Sequence, residues 1–191
     1  MQGYAFSTAR GQRLSPPVIR PDLPVLDGIL TLSFLDLQEI RFVDAFLNAG
    51  VSWKHLRAAH EEAAVQWGPH PFSRGRFITD GRIILERAGA TIVEAVSKQS
   101  VFKKVIAPYI VNLSFADGQA SEWWPMGKKG LIVLNPKRSF GQPITAREGV
   151  PTAILAKAYK AEQSYTRVAR WYEVKEKAVR NAVAYEANLA A

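Results

Sequence analysis

Cysteine is absent from this 191-residue chain, which excludes disulfides, thiolate catalysis and sulfur-ligated zinc and fits a reducing compartment. Histidine is scarce. Of His55, His60 and His70, the first two stand five apart on one predicted helix, the wrong spacing for an i, i+4 zinc pair. There is no HExxH, no P-loop and no GxSxG. Asp80 and Asp117 sit in Asp-Gly dipeptides, where aspartate already has a backbone role. Glu61-Glu62 reads as a solvated helix face. No catalytic residue, metal site or cofactor is expected. Long apolar runs are lacking too. The stretches near Tyr109–Phe115 and Leu131–Leu134 fall far short of the roughly 20 residues that cross a bilayer. The start, Met1-Gln2-Gly3-Tyr4, lacks the charged head and apolar run of a secretory signal. The expectation is a soluble cytoplasmic protein.

Negative charge is also in short supply, and unevenly so. The formal net charge is +8, so a polyanion is the leading partner class, although a positive field alone does not separate DNA from RNA or anionic lipid. Residues 33–69 are slightly acidic, whereas 70–104 and 150–191 are basic and 123–147 contain no acidic side chain at all. An anion-facing surface is therefore expected from the later segments.

Residues 1–32, with Pro16, Pro17, Pro21 and Pro24, read as an extended arm or a chain wrapped over the first domain. Ser33 with Asp36 three residues on forms a capping-box pattern. Phe34, Leu37, Ile40, Val43 and Leu47 then recur at helical steps. Gly50 ends that helix, and Ser52 caps a second with Trp53, Leu56, Ala59, Ala63 and Trp67. Two helices joined by about four residues match a helix-turn-helix in spacing, as any helical hairpin would. Phe77–Thr79, Asp80-Gly81 and Arg82–Leu85 read as a β-hairpin. Its Arg74, Arg76 and Arg82 form a basic wing or are merely solvated. A short helix over 90–106 is followed by strands at Tyr109–Phe115 and Ala120–Trp124, with Asp117-Gly118 turning between them, and by Leu131–Leu134.

Residues 136–151, rich in Pro and Gly, read as a linker between domains. Beyond it Thr152 and Ser164 cap two helices, with Ile154, Leu155, Ala158 and Tyr159 inward on the first and Val168 and Trp171 on the second. A last helix runs to about Leu189. Three helices of about 10, 8 and 14 residues have homeodomain-like spacing. The predicted class is α+β: a winged-helix-like half over 33–135 with a small antiparallel sheet, then a three-helix domain over 152–191. The last helix offers Lys175, Lys177, Arg180 and Asn181 to a major groove, and Arg167 lies on the helix before it. Arginine and asparagine read bases by paired hydrogen bonds, while lysine more often meets phosphate. The same helices also suit a basic bundle that only dimerises or holds a protein. In Trp123-Trp124, adjacent strand residues face opposite ways, so either one is exposed as a partner anchor or both pack.

Residues 32–59 (LSFLDLQEIRFVDAFLNAGVSWKHLRAA) and 70–85 (HPFSRGRFITDGRIIL) resemble VapB-like antitoxins, which carry a MerR-like helix-turn-helix segment at the front. Residues 141–186, from Gly141-Gln142-Pro143-Ile144 through Val168-Ala169-Arg170-Trp171-Tyr172 to Val179 and Ala182, resemble the small helical antitoxin domain at the back of the same proteins. The resemblance implies a regulator, not an enzyme. It implies a PIN-like ribonuclease toxin as partner, repression of a shared operon through operator DNA, and a homodimer or larger toxin–antitoxin assembly. Trp123, Trp124, Met126 and the arm over residues 1–30 are the expected toxin-binding elements. The family's front recognition segment is shortened here, so DNA reading is expected of the last helix and the basic hairpin. The residues by themselves also suit a stand-alone transcriptional regulator or a protein scaffold.

Overall fold

The computed structural model describes residues 4–8, 11–15, 17–89 and 99–189. They form a mixed α+β fold with small antiparallel sheets and a C-terminal helix cluster. The chain divides into two compact units, residues 1–111 with 117–120 and residues 112–116 with 121–191. Among the described residues no helix is long and apolar enough to cross a membrane.

In the first unit residues 4–8 and 11–15 pair as antiparallel strands, where an extended arm or a chain wrapped over the first domain was expected. Strand β1 (Tyr4–Thr8) pairs antiparallel with β2 (Gly11–Ser15). Further on, Leu26 and Ile29 exchange backbone hydrogen bonds of 3.0 and 2.8 Å across Asp27-Gly28. Both turn residues have positive φ, 50° and 77°, the signature of the type I′ turns that match strand twist.

Helix α1 (Phe34–Asn48) begins at the expected capping box, Ser33 with Asp36. Its inward face differs from the expected one: Phe42, Val43, Ala45 and Phe46 are buried together with Asp36, Gln38 and Glu39. The simple apolar periodicity missed this because the interior here accepts carboxylates that have donors waiting. Helix α2 (Trp53–Trp67) is capped by Ser52 and turns in Leu56, Ala59 and Ala63, leaving Trp53 exposed.

The expected basic hairpin over 77–85 is instead helix α3 (Gly75–Arg87). Phe77, Gly81, Ile84 and Leu85 are all buried at steps of four and three, a helical face that outweighs the Asp-Gly dipeptide. Asp80 bridges Arg76 one turn back at 3.0 Å. Gly81 serves packing: a Cβ there would lie 2.6 Å from the Phe77 ring and 2.9 Å from Phe102. Phe42, Phe46, Phe72, Phe77 and Phe102 make a mutual aromatic core with centroids 4.5 to 5.8 Å apart. Residues 90–98 of the next expected helix lie outside the described residues. Helix α4 (Gln99–Ile110) follows them and takes in Tyr109 and Ile110, which the alternation pattern had assigned to a strand.

Strands β3 (Leu113–Ala116) and β4 (Gln119–Trp123) join at Asp117-Gly118 with φ of 52° and 75°, as the dipeptide predicts. In the second unit β5 (Ile132–Val133) pairs with β6 (Ile144–Thr145). Residues 136–151, read as a linker, thus supply a strand to this unit.

Helices α5 (Thr152–Glu162), α6 (Tyr165–Trp171) and α7 (Glu176–Leu189) pack on β5 around Leu155, Val168, Val174, Ala178, Val179 and Ala182. Ser164 caps α6 as expected. Thr152 does not cap α5; it occupies the first helical position, with its hydroxyl donating to the Glu186 carboxylate. Trp171, expected inside, is 59% exposed. The turn that follows consumes the end of α6, so the buried side of that helix is met by Val168 and Ala169.

Gly81→Ala is expected to cost about 1–3 kcal/mol through overpacking, although the same change in an open helix stabilises by removing backbone freedom. The denaturant midpoint should fall with an unchanged slope. A rise would show that Gly81 is not a close-packing position.

Candidate nucleic-acid interface

The second unit ends in two helices, α6 and α7, joined by a tight turn that short-range forces build. Ser164 accepts a hydrogen bond from the Arg167 amide at 3.3 Å to start α6. The turn places Glu173 at φ 53°, and the Val174 amide returns to the Ala169 carbonyl at 3.0 Å. Val174 is then buried, which sets the direction in which α7 departs. Because Ala178, Val179, Ala182 and Tyr185 face the core, Lys175, Lys177 and Arg180 are left facing solvent. Lys175 and Lys177 flank the N-terminus of α7.

The remaining residues expected to contact DNA are committed to neighbours in different degrees. Arg180 donates to Glu176 Oε1 at 3.0 and 2.6 Å, and its guanidinium lies 4.2 Å from the Tyr165 ring centroid. Tyr165 stacks in turn on Tyr159, centroids 4.0 Å apart and planes 13° from parallel. Thr166 completes the cluster by donating to Glu176 Oε2 at 2.7 Å. The Thr166 hydrogen bond first, and then Arg180, hold the Glu176 carboxyl below the ordinary carboxylate range. The hydrogen bond shared with Tyr165 and burial raise the Tyr159 phenol. Asn181 donates its amide to the Gly130 carbonyl at 2.7 Å, a bond internal to the unit. Arg167 pairs with Glu162 at 2.9 Å.

The first unit carries the other three arginines, on and beside α3 and not on a wing. Arg74 reaches the Pro69 carbonyl at 3.3 and 3.4 Å. Arg76 bridges Asp80 and lies 5.7 Å from the Trp67 ring centroid, and Arg82 is half-buried. Helical spacing turns these side chains in different directions, so they share no strand face.

Of the residues expected to meet a protein partner, Trp123, Trp124 and Met126 are all half-buried. Trp123 exchanges backbone hydrogen bonds with Leu134 at 3.0 and 2.9 Å. The Trp124 indole nitrogen is buried with no hydrogen-bond partner. Met126 packs against the core of its own unit. The N-terminal arm, also expected to meet the toxin, carries a more accessible surface in the first unit. Leu23, Val25, Leu26, Ile29, Leu30 and Leu32 are all exposed, Ile29 to 69%. Its signal was present as Asp27-Gly28 between aliphatic pairs, the same dipeptide rule that failed at Asp80-Gly81.

Residues 132–185 match a family model described as a protein of unknown function, DUF433. Over 167 residues the chain is 28% identical to "Putative antitoxin VapB45" of Mycobacterium tuberculosis, covering 80% of this chain and 70% of the relative. A crystal structure of Rv2018 from Mycobacterium tuberculosis superposes with a TM-score of 0.71 at 28% identity, covering 87% of this chain and 85% of that one. The similarity therefore reaches well beyond the segment the family model matches.

The Glu176 carboxyl, depressed in the folded chain, contributes stability that is present above its unfolded value and lost as pH falls through the folded value. Between about pH 5 and pH 3, the melting temperature of Glu176→Gln should fall less steeply than that of the unaltered protein. Parallel curves would show that the Thr166–Glu176–Arg180 cluster contributes nothing to folding.

Proposed function

We propose that this chain, similar over 80% of its length to a putative VapB45 antitoxin, is itself an antitoxin that holds a PIN-like ribonuclease toxin inactive and binds operator DNA through α7. Its role is regulatory and not enzymatic. The observation that carries the DNA reading is the solvent-facing Lys175 and Lys177 at the start of a helix whose opposite side is buried. The positive end of a helix dipole and two ammonium groups at one place favour a phosphate backbone. The net charge of +8 adds a field that draws the protein to a polyanion.

Arg180 enters a base contact only by leaving Glu176, so its reading of a guanine is offset by a broken ion pair. Lysine contacts to phosphate supply the affinity, and Arg180 supplies discrimination. A two-fold arrangement of the protein on a palindromic operator follows from the way helix-turn-helix proteins read half-sites. On the toxin side, the exposed aliphatic strip over residues 23–32 favours the N-terminal arm as the segment that covers the toxin. Contiguous exposed apolar surface of this kind marks protein contact sites.

Lys177→Ala should weaken binding to all duplexes about equally and reduce the salt slope by roughly one, whereas Arg180→Ala should lose roughly 1–3 kcal/mol of discrimination at one operator position. Asn181→Ala should instead lower the melting temperature, because it strips the Gly130 carbonyl of its donor. Mobility shifts at several salt concentrations read these effects. Unchanged binding by a Lys177→Ala/Arg180→Ala double variant removes α7 from the DNA contact.

Neutralisation has its own measurement, growth rescue in cells expressing the neighbouring toxin gene. A Leu26→Asp/Ile29→Asp double variant should lose rescue while keeping its circular dichroism spectrum. Full rescue would exclude the aliphatic strip as the toxin-binding surface.

A further inference from the structure

We propose that Asp22, Asp36 and His70 form a site for a divalent transition-metal ion that fastens the root of the N-terminal aliphatic strip to the body of the first unit. The three come from separate places: Asp22 from the segment before the strip, Asp36 from the first turn of α1, and His70 from the turn between α2 and residues 71–73. One donor atom from each lies within 4.8 Å of the others. His70 Nε2 is 3.0 Å from Asp22 Oδ1, and Nδ1 is 3.9 Å from Asp36 Oδ1.

Asp36 sets the requirement. Its carboxylate is completely buried. Oδ2 is fully engaged, accepting from the amides of Ser33 at 2.8 Å and Asp22 at 3.1 Å. Oδ1 is buried with no hydrogen-bond partner. A carboxylate oxygen left bare in the interior is costly, and native folds avoid it unless something fills the gap. The imidazole does not fill it, because 3.9 Å is too long for a hydrogen bond.

His70 is held in place for the task. Its backbone is left-handed, φ 53° and ψ 54°, a conformation that costs a non-glycine residue free energy and that clusters at functional sites. Its carbonyl accepts from Ser73 Oγ at 3.0 Å and from Gln119 Nε2 at 3.4 Å, which pins the turn and aims the ring. The neighbouring histidine is already satisfied: His60 bonds Glu39 at 2.9 Å, and the second Glu39 oxygen takes the Ser73 amide at 2.7 Å. His60 is therefore outside the donor set.

Two carboxylates and one neutral imidazole cancel a 2+ charge and suit zinc or manganese. Calcium and magnesium prefer oxygen-only shells. A solvent-accessible cavity of about 280 Å³, lined among others by Asp22, His60, Glu61 and His70, leaves room for the waters that complete the coordination. Ion binding would replace the Asp22–His70 hydrogen bond by two metal bonds and bring a charge to Asp36 Oδ1. The immediate structural result is that the Asp22 side chain joins its amide, which already donates to Asp36, in tying residue 22, directly before Leu23, to α1.

The test is calorimetric titration of the full-length protein with zinc chloride at neutral pH, alongside melting curves with and without zinc. One ion per chain and a raised melting temperature are expected. Asp22→Asn is nearly isosteric, and His70→Asn keeps a residue that tolerates the left-handed conformation. Each should weaken zinc binding by at least about tenfold without altering the circular dichroism spectrum, whereas His55→Asn should bind as the unaltered protein does. No binding by the unaltered protein overturns the proposal. So does binding that survives both variants, or binding that disappears with His55→Asn, each of which would mark adventitious capture by surface groups.

Discussion

The close approach of α7 to its neighbours is the constraint from which the rest of the second unit follows. Ala178 and Ala182, with Val179 between them, are almost wholly buried against Leu155 and Val168. Small side chains at these positions let helix axes come near one another, and the cost of a larger residue there would be overpacking. Once that face is fixed, the long cationic side chains of α7 have only solvent to occupy. The positive surface is thus a consequence of the core and needs no separate ordering device. Glu176 and Arg180, one turn apart, add an ion pair on that surface, and in so doing limit how freely Arg180 turns to a ligand.

The first unit is organised on a different principle. Its aromatic core is conventional, but α1 also carries Asp36, Gln38 and Glu39 into the interior. Buried carboxylates stabilise a fold only where donors await them. Glu39 has both oxygens satisfied, by His60 and by the Ser73 amide. That arrangement ties α1 to α2 and to residues 71–73 by polar bonds of fixed direction, which specify register more sharply than apolar packing does. Asp36 performs the same function on one side, toward Ser33 and Asp22, and remains open on the other. The two carboxylates differ in this one respect, and the difference points to a ligand.

Much of the architecture was legible in the sequence. The caps at Ser33, Ser52 and Ser164, the turn at Asp117-Gly118 and the three C-terminal helices were readable because each rests on local chemistry. The misreadings share a cause. Asp80-Gly81 has the dipeptide of a turn, but Gly81 is there to admit the rings of Phe77 and Phe102, contacts that no short window contains. Thr152 has the residue type of a cap but spends its hydroxyl on Glu186, which is 34 positions away. Asn181 has the chemistry of an adenine reader but is bound to Gly130, 51 positions back. In each case a long-range partner claimed a group whose local use was already plausible.

The same reasoning separates the surface residues by how far they are free to act. Lys175 and Lys177 need no rearrangement to meet a phosphate. Arg167 and Arg180 sit in ion pairs with Glu162 and Glu176 that water screens and a polyanion would compete for, so their recruitment by DNA would be graded with salt. Asn181 would leave a carbonyl unpaired if it turned outward, a penalty that a single base contact does not offset. In the proposed DNA contact, a cationic helix of this composition would bind duplexes first by charge and only second by sequence. Sharp operator choice under that proposal would come from repetition, with two copies of a weakly discriminating helix set at a fixed half-site spacing.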